Sequence, residues 1–177
     1  MGEALVEACP DGGNIFAING SPTDKNVEEV ELGFRKALKG SKLKIVYTGY
    51  CDNWLAEMAA THVNKGLEVT DDIVGVMCGN DDLASQAVKV LAENRLAGQV
   101  ALVAQDADLA ACQRIVEGTQ TMTVYKPIEQ EQAQRRSSQW HSETVQTLPQ
   151  KTVRSRSQRP QMTVPARSHI TRSHRSQ

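Results

Sequence analysis

The feature that most restricts this chain is an alternation between two hydrophobic periods. Apolar, β-rich runs occur at NIFAI (14–18), LKIVYT (43–48), DIVGVM (72–77), QVALVA (99–104) and TMTVY (121–125). Runs that are apolar throughout, rather than alternating with polar residues, predict strands buried on both faces. Between them lie segments of helical period. DKNVEEVELGFRKALKG puts Val27, Val30, Phe34 and Leu38 on one stripe, with Gly40 just past its end. CDNWLAEMAATHVNKG places Leu55, Met58 and Val63 alike and is expected to stop at Gly66. NDDLASQAVKVLAENRLAG carries Leu83, Ala87, Val90 and Leu91, and ADLAACQRIVEG is a short helix closed by Gly118. A further helix, GEALVEAC, precedes the first strand. The order αβαβαβαβαβ predicts a parallel sheet covered by helices on both faces. Right-handed crossovers then make all strands point one way. The expected fold class is therefore α/β: an open, doubly wound parallel sheet of about five strands.

Such a sheet binds ligands in the crevice beyond the carboxyl ends of its strands. The loops that start there are NGSPTDKN, GYCDNW, CGNDD, QDAD and KPI. Each offers polar or aromatic side chains suited to a polyhydroxylated small molecule. None contains a phosphate-cradling loop or a GxGxxG fingerprint.

Charge divides the chain. Residues 1–127 carry 11 Lys+Arg against 18 Asp+Glu, whereas residues 128–177 carry 9 against 3. An acidic body with a basic tail is the implied organisation. The tail, 129–177, is rich in Arg, Ser, Gln and Thr and shows no apolar period; disorder is expected there. Its composition reads as a segment that did not evolve with the body, as an out-of-frame end would. Its positive charge would permit phosphate contacts, but no nucleic-acid partner is expected. Cys9, Cys51, Cys78 and Cys112 lack zinc spacing and are expected to be small buried residues. There is no apolar run long enough to span a membrane, and the opening MGEALVEACPDGG is not expected to act as a signal peptide.

Taken singly, the polar residues at the loops have ordinary roles. Asp24, Asp81 and Asp108 stand at helix starts and read as caps. Trp54 reads as core, Lys126 as solvated, and His62 as a surface histidine. The other histidines, His141, His169 and His174, all lie in the tail, so no Ser–His–Asp or Cys–His set is visible and no enzyme is expected. Neither a metal nor a cofactor is implied. Joint placement favours a binding role. A sugar is held by carboxylates and amides on its hydroxyls, a cation that donates, and an aromatic ring on its C–H face. Asp24, Asn26, Trp54, Asn80, Asp106 and Lys126 supply that set from five strand-end loops.

The strings GSPTDKN, GND, GQVALVAQDADLAACQRIVEGTQTMTVYKPI and the aromatic pair in YCDNW resemble the type I periplasmic sugar-binding proteins of ABC transporters, in particular the D-xylose-binding subgroup. The resemblance covers residues 1–128 and only the C-terminal lobe of a two-lobed trap. It implies non-catalytic monosaccharide binding, pentose or xylose-like, at Asp24, Asn26, Trp54, Asn80, Asp106 and Lys126. It further implies a membrane permease as partner and a periplasmic or extracellular location. With the first lobe missing, the expectation is a truncated binding component. Lys25 stands where the family has Asn, Asn19 where it has Gly, and Tyr50 where it commonly has Trp. The alternative is a sugar-sensing effector domain of a transcription regulator or chemoreceptor, which would share this body.

Overall fold

The computed structural model describes residues 1–126; the domain boundary near residue 128 and the basic segment 129–177 lie outside the described residues. Helix α1 (Gly2–Ala8) leads into strand β1 (Gly13–Asn19), then α2 (Lys25–Ala37), β2 (Leu43–Tyr50), α3 (Ala56–Val69) and β3 (Gly75–Cys78). Helix α4 (Asp81–Glu93), β4 (Ala101–Gln105), α5 (Leu109–Glu117) and β5 (Met122–Val124) follow. The five strands form one sheet in the order β2-β1-β3-β4-β5, and every pairing is parallel. The expected α/β, doubly wound parallel architecture is what the chain adopts.

The two faces of the sheet carry separate cores. Leu5 of α1 and Phe34 and Leu38 of α2 pack with Ile15, Ala17, Met77 and Val103 on one face. Ala59 and Val63 of α3 and Leu83, Ala87 and Leu91 of α4 pack with Phe16, Ile18, Val76 and Leu102 on the other. Alternate residues of β1 thus feed opposite cores, which is why the strand reads as an unbroken apolar run. Each large side chain buried this way stabilises the fold by about 1.5–3 kcal/mol.

Local chemistry explains the helix ends. Asp24 caps α2, its Oδ1 accepting the Asn26 backbone N–H at 2.9 Å. Arg35 and Lys36 lie in the last turn of α2, where cations suit the helix dipole. Gly118 closes α5 in the left-handed conformation, with φ of 81°.

Three expectations differ from the structure. Helix α3 runs through Gly66 to Val69 instead of stopping there. Gly66 serves close approach: a Cβ at that position would lie 2.7 Å from Cε2 of Phe16, a fully buried ring. Only Cys51 and Cys78 are buried; Cys9 is half-buried and Cys112 is exposed on α5. Burial pushes the Cys51 thiol up to about 11 and raises Cys78 as well, so both remain protonated at neutral pH. His62 is not a free surface residue. Its Nε2–H donates to the Tyr50 carbonyl at 2.9 Å, and its Nδ1 meets the Tyr47 hydroxyl at 2.8 Å, tying α3 to β2.

Helix propensity alone favours Ala over Gly by about 1 kcal/mol at an interior helical position. At Gly66 the contact with Phe16 reverses that sign. Gly66→Ala is expected to destabilise the chain by about 1–3 kcal/mol, as overpacking does. Urea unfolding followed by circular dichroism measures the change.

Candidate functional site

Parallel strands deliver their following loops to one edge of the sheet, and backbone hydrogen bonds level them there. Cys51 N–H donates to the Asn19 carbonyl at 3.0 Å, Gly79 N–H to Ile18 at 2.8 Å and Asp106 N–H to Val124 at 2.8 Å. The carboxyl ends of β1 with β2, β1 with β3, and β4 with β5 are thereby joined. Each sequence-predicted residue sits in or next to one of these loops.

On the β1–β2 side, Asp24 and Trp54 meet. The indole Nε1–H donates to Asp24 Oδ2 at 3.2 Å, while Asp24 Oδ1 holds the start of α2. Trp54 ends a single 3-10 turn, Asp52–Trp54, and both Asn53 (φ 52°) and Trp54 (φ 58°) are left-handed. That backbone is costly for a tryptophan. It turns the indole over β1 and β3: a Cβ on Gly20 would lie 2.3 Å from the ring and one on Gly79 3.2 Å from it. The two glycines are the bed on which the ring lies. Asn26 is half-buried in the first turn of α2, beside this pair.

On the β4–β5 side, Lys126 Nζ and Asp106 Oδ1 form an ion pair at 2.7 Å. Their side chains are 29% and 34% exposed, so the pair itself contributes at most about 1 kcal/mol. Between the two sides stands Asn80 at the end of β3. Its Oδ1 accepts the Leu83 N–H at 2.9 Å, which commits its acceptor to capping α4 and leaves its donors for other partners. Asp24 and Trp54 on one side and Asp106 and Lys126 on the other flank the β1–β3–β4 centre. At about 4.8 Å per strand, β1 and β4 lie roughly 10 Å apart.

The loop carrying Asp106 is held by three successive amides. Asp106 N–H bonds β5 backbone, Ala107 N–H donates to Thr123 Oγ1 at 3.0 Å, and Asp108 N–H donates to Asp81 Oδ2 at 3.0 Å. Asp106 (φ 112°) and Ala107 (φ 58°) are kept left-handed by these ties. Asp81 is 1% exposed and also accepts from Thr123 Oγ1 at 2.8 Å and Gln120 Nε2 at 3.1 Å. Arg114 donates to its backbone carbonyl and to Ser85 Oγ. Asp81 is therefore a brace between α4, β5 and the Asp106 loop, and the expected capping role falls to Asn80. Asp108 occupies the N-cap position of α5 with no side-chain capping bond. Of the three aspartates read as caps, Asp24 alone makes that bond.

Sequence reasoning also passed over the floor of the crevice. Asn19, Gly20, Val27, Val30, Trp54, Gly79 and Gln105 line a shallow cleft that opens to solvent. Gln105 Nε2 donates to the Gly79 carbonyl at 2.6 Å. Asn19 Nδ2 is buried and has no hydrogen-bond partner among the described residues. The available signal was an amide as the last residue of an otherwise apolar strand, in IFAIN and again in ALVAQ. Among the described residues no three His, Cys, Asp or Glu side chains gather as metal ligands, and no helix is long and apolar enough to cross a membrane.

A periplasmic binding protein domain matches residues 1–134. The chain belongs to the periplasmic binding protein family. It is 42% identical over 131 residues to the D-xylose-binding periplasmic protein of Escherichia coli strain K12, covering 71% of this chain and 39% of that protein. A solute-binding protein of an ABC transporter from Mycobacterium smegmatis, solved with bound glycerol, superposes with a TM-score of 0.66 at 32% identity, over 71% of this chain and 44% of that one. A periplasmic solute-binding protein from Actinobacillus succinogenes, solved with D-allose, gives a TM-score of 0.68 at 25% identity, over 83% of this chain and 54% of that one. The chain thus spans about two fifths of the length of the curated relatives it matches. The periplasmic-binding-protein family and the parallel α/β fold inferred from the sequence are both found.

Burial raises the Asp81 carboxyl above its ordinary value, against the lowering effect of its hydrogen bonds. The folded state therefore binds a proton more readily at this site than the unfolded chain does. This group's contribution to stability rises as pH falls from above its folded pKa toward the ordinary carboxylate range. Asp81→Asn, which cannot titrate, is expected to be less stable than the parent at every pH, because its NH2 group must face either the Asp108 N–H or the Gln120 Nε2 donor. The stability gap should widen on acidification through that window. Urea titrations of both chains across the acid range measure it; a gap that narrows contradicts the assignment.

Proposed function

We propose that residues 1–126 form one sugar-contacting lobe of the substrate-binding component of an ABC importer, acting without catalysis in the periplasm or outside the cell. The ligand is a monosaccharide of the pentose class, D-xylose-like. Asp24 and Asp106 accept hydroxyl protons, Asn26 and Asn80 donate to hydroxyl oxygens, Lys126 donates a charge-assisted bond, and the Trp54 indole covers the C–H face. The observation that carries this reading is the common edge: all six residues come from the loops, or the first turns after them, that follow parallel strands. The gap of roughly 10 Å between the β1 and β4 ends suits a small ring with hydroxyls on both sides. Support for the sugar class comes from the 42% identical relative, named for D-xylose. The solved neighbours holding glycerol and D-allose favour small polyols and leave the choice of sugar to this rim.

One lobe covers one side of a ligand. A second lobe adds further charge-assisted hydrogen bonds at about 1.5–3 kcal/mol each, so the lobe alone is expected to bind weakly. A membrane permease would receive the closed, loaded form.

Calorimetry on this chain joined to the first lobe of the Escherichia coli relative tests the reading. Heat is expected with D-xylose, and Asp106→Ala should weaken binding by about tenfold or more. A folded chimera that gives no heat with xylose, ribose, arabinose, glucose or galactose would remove the proposal.

A further inference from the structure

The cleft that the Trp54 indole lines is also lined by Asn19, a buried donor with nothing among the described residues to receive its proton. Asn19 closes β1, is 1% exposed, and its Nδ2 has no hydrogen-bond partner among the described residues. Its carbonyl accepts the Cys51 N–H, and it stands opposite Tyr50 in the β1–β2 ladder. Buried amides without partners are rare in folded chains, and each calls for an explanation. Bulk water does not reach this nitrogen, which exposes less than 1 Å² of surface.

The surroundings point to a displaceable occupant. Asn19 ends the strand at which the sheet order reverses, between β2 and β3, which is where open α/β sheets take ligands. The neighbouring amide, Gln105, is already committed to the Gly79 carbonyl. The ring above is the only side chain resting on both Gly20 and Gly79 among their nearest neighbours. It is tethered by one long hydrogen bond, Nε1 to Asp24 Oδ2 at 3.2 Å. A ligand hydroxyl that takes Asp24 Oδ2 competes directly with that tether. Once the ring shifts off the glycines, the acceptor that Asn19 lacks can enter.

We propose that Asn19 is a ligand contact at the floor of this cleft, donating its Nδ2–H to a hydroxyl oxygen of the bound sugar as the Trp54 indole moves from Gly20 and Gly79 onto the sugar. The inference rests on the sugar-binding reading above and adds a residue to it. It also gives Trp54 a second position, over the sugar, beside the one it takes here over the glycines.

The test uses the full 177-residue chain, nitrogen-labelled for NMR and titrated with D-xylose up to the limit of the sugar's solubility, as the weak binding of one lobe requires. The Asn19 side-chain NH2 signals and the Trp54 indole N–H signal are expected to shift together along one saturation curve. Asn19→Ala should weaken D-xylose binding about tenfold, the value of one hydrogen bond to a neutral ligand group at its upper end. The thermal midpoint should not fall, because Nδ2 holds nothing in the empty lobe; Asn19→Leu repeats the measurement in case the smaller side chain perturbs packing. Shifts at Asp24, Asn80 and Asp106 with an unmoved Asn19 NH2, or unchanged affinity in Asn19→Ala, overturn this inference and leave the sugar-binding reading intact. No shift anywhere along the rim overturns both.

Discussion

A shared strand direction is the constraint on which everything else here depends. An antiparallel neighbour would send its following loop to the opposite edge. With five parallel strands, five loops arrive together, and polar residues remote in sequence become neighbours in space. Direction is itself a packing result. Each crossover helix buries an apolar stripe against the sheet, and α1 with α2 and α3 with α4 divide the two faces between them. The right-handed path of each crossover then leaves no alternative orientation. The chemistry at the rim is thus a consequence of hydrophobic burial well below it.

Direction brings residues to an edge but does not orient them. On the β4–β5 side the orienting element is Asp81, whose carboxylate collects Asp108 N–H, Thr123 and Gln120. These bonds hold the left-handed stretch that presents Asp106 to Lys126. A buried carboxylate is costly unless fully paired, and here each oxygen has a donor. On the β1–β2 side orientation comes from glycine. Gly20 and Gly79 let the indole approach the backbone as no other residue would, and Gly49 does the same for the His62 ring.

These two kinds of determinant differ in how far they can be read from a sequence. The strand runs, the helix stripes and the order of elements were legible because burial imposes a period. IFAI and LVA are apolar throughout for the same reason that Phe16 and Ala17 point to opposite cores. Strand-end loops followed from that order, and so did the edge shared by Asp24, Trp54, Asn80, Asp106 and Lys126. What sequence could not give was pairwise contact. Asp81 next to Asn80 looks like a second cap, yet its partners are Thr123 and Gln120, about forty positions away. Gly66 looks like a helix stop, because nothing local reveals that Phe16 lies across it. His62 looks solvated for the same reason: its partners, Tyr47 and Tyr50, lie on the previous strand.

The rim also differs from the core in what its interactions are worth. Below it, apolar side chains are fully buried and the backbone is regular. At the edge are an ion pair about one-third exposed and of small value, two consecutive pairs of residues with left-handed φ, and an amide donor without an acceptor among the described residues. None of these features stabilises the fold by much, and the strained ones oppose folding. A surface selected only for stability would replace them: an apolar residue at Asn19, a glycine at Trp54 or Ala107. Their presence together along one edge, over a core able to sustain the cost, is what a binding surface requires. Groups that are unsatisfied or weakly satisfied without ligand gain the most when a ligand arrives, so the free energy withheld from folding becomes available to binding.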